Sequence, residues 1–229
     1  METNVIYNQD CLEGLKGLSD ESVTMTLTDI PYGEVTKNGE ERAKYDGQLR
    51  NINKSNADII DFRIDDFVKE SIRVTSDNIY IFCGASQLSK IHTILDNEGL
   101  STRIIVWEKT NPSPINGQHL WLSGVEYAVY GRKPKGTFND NCRNTVLEYP
   151  AGSSKIHPTQ KPIKLFRDLV RTSSNKEDIV LDPCIGSGTT AIAAYKEGRE
   201  YIGFEKDKEY YNSCIDRVNQ VTSQMKLFA

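Results

Sequence analysis

Ile179-Val180-Leu181-Asp182-Pro183-Cys184-Ile185-Gly186-Ser187-Gly188-Thr189-Thr190 is the stretch that decides the fold. It opens on a short apolar run of the kind found in strands buried on both faces. Gly186 and Gly188 follow, and glycine lets a backbone turn tightly and come close to a ligand. Ala191–Tyr195 then reads as helix, whose first turn offers unpaired N–H groups to a carboxylate or phosphate. Glu205 closes the next β-rich run, Tyr201–Phe204, where doubly wound nucleotide folds place a carboxylate for ribose hydroxyls. No Lys follows the glycines, so this is not a P-loop, and no third Gly completes a dinucleotide fingerprint. A small adenosine-bearing cofactor fits the combination better than a purely structural turn does.

Working outward, further β-rich runs lie at Asn4–Asn8, Val23–Thr28, Ile79–Cys83, Thr102–Trp107 and Val125–Tyr130. Helical patterns lie between them, at Ala57–Arg73, Ser86–Glu98, Pro162–Thr172, Thr189–Glu197 and Lys206–Val221. The third of these has Pro162 in its first turn and Ile163, Phe166, Leu169 and Val170 on one stripe. This alternation predicts an α/β domain with a mostly parallel, seven-stranded sheet and helices on both faces. One domain is expected over 1–229, with two long irregular stretches, 33–56 and 131–156.

Bulk properties exclude several classes. No stretch approaches the roughly 18 to 20 apolar residues of a membrane span. The first residues lack the basic start and apolar run of a secretory signal. The five cysteines form no Cys-x-x-Cys pair, which argues against a disulfide framework or zinc site and for a reducing cytoplasm. The three histidines, His92, His119 and His157, make no metal-ligand spacing, so no metal is expected. Net charge is -4, unevenly spread: acidic residues outnumber basic ones fifteen to eight from Met1 to Glu70, whereas Gly131 to Arg171 holds nine Lys or Arg against three Asp or Glu. Arg132, Lys133, Lys135 and Lys155 in that basic stretch are candidates for DNA phosphate contacts, with a solvated surface as the alternative.

Two further segments carry chemistry. Asp29-Ile30-Pro31-Tyr32 ends the strand Val23–Thr28, and ligands sit at the carboxyl edge of a parallel sheet. A base amino group is a poor nucleophile because its lone pair is delocalised into the ring. The Asp29 carboxylate and the Ile30 carbonyl could accept both its N–H bonds, with the Pro31 ring restricting Ile30. Tyr32 offers a stacking face to a base swung out of a duplex. A strand-ending turn is the alternative. His157-Pro158-Thr159-Gln160-Lys161-Pro162 is a rigid cationic approach to a helix, suited to a carboxylate or phosphate, or simply to capping.

Together the three segments resemble motifs of the amino-methylating DNA methyltransferases, in the circularly permuted order of the β class. There an Asp-Pro-Pro-Tyr motif comes first, and His-Pro-Thr-Gln-Lys-Pro and Asp-Pro-Phe-x-Gly-Ser-Gly-Thr-Thr segments lie near the C-terminus. Trp107–Pro112 and Val125–Val129 resemble weaker blocks of the same family. The resemblance implies a Rossmann-like methyltransferase fold and S-adenosylmethionine as cofactor. It places Asp10 and Cys11 beside the cofactor adenine, and Asp182, Gly186, Gly188, Thr189 and Thr190 at its methionine end. Lys161 would lie near the methionine carboxylate and Glu205 on the ribose. Two residues depart from the pattern. Ile30 replaces a usual Pro, adding an N–H that needs a partner, and Cys184 replaces a usual aromatic.

The resemblance implies site-specific methyl transfer to double-stranded DNA. Asp29 rather than Ser as first residue points to the adenine N6 amino group, with cytosine N4 as the alternative. A non-catalytic cofactor-binding subunit of a two-chain enzyme is the competing class, and RNA is a third, less favoured substrate. Pro183-Cys184 sits in the cofactor loop, so Cys184 is expected to be a packed residue and not a nucleophile. With no large target-recognition insert, reading of DNA would fall to the two long loops, with a homodimer or a cognate restriction enzyme as conceivable partners.

Overall fold

The computed structural model describes residues 1–32, 62–114, 119–152 and 160–226. Among them, β1 (Val5–Tyr7), β2 (Val23–Asp29), β3 (Thr75–Cys83), β4 (Ser101–Lys109), β5 (Val125–Arg132), β6 (Val146–Tyr149), β7 (Ile179–Asp182) and β8 (Glu200–Phe204) form one sheet. The order is β1-β8-β7-β2-β3-β5-β4-β6. β5 runs antiparallel to both neighbours, β3 and β4, while the other pairings are parallel.

Helices cover both faces. α1 (Cys11–Lys16), α2 (Ile64–Val74) and α3 (Leu88–Asn97) lie on one side, where Leu15, Phe67, Val68, Ile91 and Leu95 join Ile79, Ile81 and Leu181 in one core. α4 (Ile163–Ser173), α5 (Thr189–Lys196) and α6 (Lys208–Lys226) cover the other, where Phe166, Leu169, Ala191, Ile192 and Val218 pack on Met25, Leu27 and Phe82. The apolar stripe read in the sequence of α4 is the reason for this placement: Phe166, Leu169 and Val170 are buried with Leu165 beside them, Ile163 is half-buried, and Phe166 stacks on Phe82 with ring centroids 5.3 Å apart.

The sheet has eight strands, not seven. β6 falls in the stretch expected to be irregular, and its four residues become a strand because the edge of β4 pairs with them, from Val106↔Val146 to Lys109↔Tyr149. α1 is also absent from the sequence reading. It is one and a half turns long with only Gly14 and Leu15 buried, too few positions to show a helical period. The helix expected from Ala57 is described from Ile64, and residues 57–61 and the loop 33–56 lie outside the described residues. No described helix is long and apolar enough to cross a membrane.

From β7 the chain passes through α5 to β8 on one side, and from β2 through α2 to β3 on the other. The crevice at the carboxyl ends of β7 and β2 is therefore a topological switch point, where such sheets bind ligands. On the far side of the site, buried Asn78 ties three elements together. Its amide donates to the Thr137 and Ser173 carbonyls at 2.8 and 3.0 Å, and its carbonyl accepts the Tyr130 hydroxyl at 2.8 Å. Asn78→Ala strands these buried groups, and each such loss costs about 1–3 kcal/mol. The expected result is a lower urea midpoint at unchanged slope.

Candidate active site

β7 ends at Asp182, which is 3% exposed. Its carboxylate accepts the Thr190 hydroxyl at 2.5 Å and the Cys184 N–H at 3.1 Å. Thr190, in the first turn of α5, also donates to the Leu27 carbonyl at 3.3 Å, so one side chain joins the loop helix to β2. Burial pushes Asp182 up to about 7, against the pull of its hydrogen bonds. Gly186 and Gly188 both have left-handed backbones, with φ of +49° and +78°. A Cβ on Gly188 would sit 2.8 Å from Cys214 Sγ and 2.9 Å from Val218, so this glycine lets α6 close on the loop. A Cβ on Gly186 would meet nothing nearer than 3.9 Å and would project into open space. Glu205 accepts the Gly186 N–H at 3.1 Å, and burial raises its pKa above the ordinary value.

Asp10 caps α1 by accepting the Leu12 N–H at 2.9 Å, and it also pairs with Lys206 at 3.2 Å. Cys11 follows that cap, and its sulfur accepts a hydrogen bond from the Cys184 thiol. The contact, with burial, holds Cys184 protonated, well above its ordinary value. Cys184 is thus a packed thiol.

One strand over, β2 ends in a charged cluster. Lys161, only 5% exposed, places its ammonium 2.5 Å from Asp29 and 2.9 Å from Glu126. The Tyr32 hydroxyl donates to Asp29 at 3.0 Å and lies 3.3 Å from Glu126, while Lys109 pairs with the other Glu126 oxygen at 2.8 Å. The Lys161 ammonium also lies 5.3 Å from the Tyr32 ring centroid and 5.6 Å from that of Phe82. Burial opposes the charge on Lys161, but Asp29 and Glu126 outweigh it and hold its pKa above the usual value. Burial raises Asp29 despite Lys161, whereas two lysines overcome burial at Glu126 and lower it.

The backbone of the strand end is fixed as well. Gln87 donates to the Pro31 carbonyl at 2.9 Å and accepts the Gly84 N–H at 2.8 Å. The N–H that Ile30 adds donates to the Phe82 carbonyl at 3.1 Å, and the Ile30 side chain is buried in the core. The departure from Pro is absorbed by β3.

The structure brings Asp29, Ile30, Pro31 and Tyr32 to the crevice beside Asp182, Gly186, Gly188, Thr189, Thr190, Glu205, Asp10 and Cys11. The Lys161 ammonium pairs with Asp29 and Glu126 at the end of β2. Arg132, Lys133 and Lys135 lie elsewhere. Because β5 is antiparallel, its end at Arg132 is six residues from Glu126, roughly 20 Å at about 3.4 Å per residue, toward the opposite edge of the sheet. There Arg132 donates to the Gly136 carbonyl and Lys133 pairs with Glu21. Lys155 lies outside the described residues. Glu126, Lys109 and Gln87 are site residues the sequence reading did not single out, although Glu126 and Lys109 sit in the two weaker blocks it noted. No cluster of three His, Cys, Asp or Glu able to hold a metal occurs among the described residues.

Two consequences are measurable. A carboxyl whose folded-state pKa is raised binds its proton more tightly folded than unfolded, so Asp182 withdraws stability as pH rises from about 4 to about 7. Asp182→Asn is expected to lose less stability than wild type between pH 5 and pH 8 in parallel urea titrations. Gly188→Ala meets both a clash and a left-handed backbone, and a loss of about 1–3 kcal/mol is expected in the same assay.

The chain is similar to known proteins along most of its length. Residues 23–216 match the family model N6_N4_Mtase, described as DNA methylase. The type II methyltransferase M2.MboI of Moraxella bovis is 28% identical, over 96% of this chain and 89% of its own length. The type II methyltransferase M.HinfI of Haemophilus influenzae is 28% identical, over 95% and 69% respectively. The crystal structure of an M1.HpyAVI–SAM complex superposes with a TM-score of 0.70 at 26% identity, covering 93% of this chain and 98% of that one. Since the family model spans most of the chain and both of its chemical centres, the protein belongs to the N6/N4 DNA methylase family.

Proposed function

We propose that this DNA methyltransferase uses S-adenosylmethionine to methylate the N6 amino group of an adenine swung out of double-stranded DNA. The observation that carries the reading is the junction of two sites at adjacent strand ends: a glycine loop with buried carboxyls at β7, and the Asp29–Tyr32 acceptor and ring at β2.

The residues present fit the cofactor. Open space above Gly186 admits a ligand, and Glu205 stands where ribose hydroxyls would be taken. Asp182 offers a carboxylate to the cationic methionine end. The Gln9 side-chain nitrogen is buried without a hydrogen-bond partner among the described residues, a donor available at the end of β1. When bound, S-adenosylmethionine supplies the electrophilic methyl group.

On the substrate side, Asp29 and the Ile30 carbonyl accept the two N–H bonds of the amino group, turning its lone pair out of conjugation. The raised pKa of Asp29 suits it to take up the proton released once the nitrogen is alkylated. Tyr32 stacks on the base. An Asp at this strand end, where cytosine N4 enzymes of the family tend to have Ser, supports adenine. The paired N–H of Ile30 supports an active enzyme over a degenerate subunit.

Asp29→Ala is expected to lower transfer of labelled methyl to unmethylated DNA by roughly a hundredfold or more, with cofactor affinity retained. Asp29→Asn should also fail, because its amide lacks the charge that stabilises the developing cation. Nucleoside analysis of the methylated DNA should give N6-methyladenine, and N4-methylcytosine would reassign the target. Gly186→Val should weaken S-adenosylmethionine binding in isothermal titration of a folded variant, and undiminished affinity would make the loop a turn only.

A further inference from the structure

On the reading of Asp29 as acceptor for the target amino group, the cluster at β2 poses a problem. Both Asp29 oxygens are already occupied, one by the Lys161 ammonium and the other by the Tyr32 hydroxyl. An incoming amino group competes with them for the carboxylate. Lys161 has no route to water at 5% exposure, and a buried cation stripped of its partner is strongly unfavourable.

Glu126 resolves this. One of its oxygens lies 2.9 Å from the Lys161 ammonium and 3.3 Å from the Tyr32 hydroxyl, so both occupants of Asp29 already share it as second acceptor. Its other oxygen is held by Lys109 at 2.8 Å, which fixes the carboxylate across β4 and β5. We propose that Glu126 is a positioning residue for methyl transfer, receiving the Lys161 ammonium when the target amino group takes Asp29. The two carboxylates are unequal in the sense this requires. Glu126 is paired with two lysines, which lower its pKa, whereas Asp29 shares one lysine and its pKa is raised by burial. Lys161 is then a counter-ion shared between two anions, already within 2.5 Å of one and 2.9 Å of the other.

Glu126→Gln keeps the shape and removes the charge, leaving Lys161 bound to Asp29. Its kcat on DNA is expected to fall about tenfold or more, while S-adenosylmethionine affinity stays within about twofold, because Glu126 acts only through Lys161. Glu126→Asp, which restores the charge, should recover part of the loss. The decisive comparison is a double-mutant cycle with Lys161→Met. Where no ammonium competes for Asp29, adding Glu126→Gln should change kcat by less than about threefold. Wild-type turnover in Glu126→Gln, or an undiminished loss in the Lys161→Met background, would overturn the proposal. Failure of the underlying reading looks different: it appears as methyl transfer that survives Asp29→Ala.

Discussion

A single buried ammonium organises the charged cluster at the end of β2. Lys161 is almost wholly enclosed, and a charge in such a place is tolerated only with well-placed counter-charges. Those come from β2 through Asp29 and from β5 through Glu126, while Lys161 itself arrives on the segment leading into α4. Lys109 of β4 completes the charge balance at Glu126. Segments separated by more than a hundred residues must therefore meet within a few ångströms. The antiparallel run of β5 makes this possible, since it brings the beginning of that strand to the edge where β2 and β3 end.

The cofactor half is built differently, on backbone and buried carboxyls. Left-handed glycines shape the loop, and Thr190 couples it to β2 by bridging Asp182 and the Leu27 carbonyl. Asp182 and Glu205 are both raised by burial, so each is poised to gain from a cationic or hydroxyl-bearing ligand. Asp182 and Asp29 end neighbouring strands, and under the proposed function this adjacency sets donor and acceptor of the methyl group side by side.

The two departures from the family pattern are absorbed locally. Ile30 costs the rigidity of a proline, but its N–H bonds to β3 and its side chain fills the core. Cys184 gives up an aromatic face and gains a thiol contact with Cys11. Neither change removes the Asp29 carboxylate, the Ile30 carbonyl or the Tyr32 ring.

The sequence by itself determined the fold class and the family. The apolar run before Asp182 and the paired glycines specify a buried strand and a tight turn into a helix, because strand burial and backbone freedom are local properties of those residues. The same holds for Asp29–Tyr32 as an acceptor with a ring at a strand end. What only the tertiary structure decided are the features that depend on pairing between distant segments. β6 became a strand through the edge of β4, and Arg132 and Lys133 were carried away from the crevice by the direction of β5. Lys161 was drawn to the catalytic cluster because its ammonium, once buried, needed two carboxylates, and Glu126 acquired its place only when β5 set it beside Asp29. Charge pairing in a buried site is set by three-dimensional proximity, which no local pattern in the chain encodes.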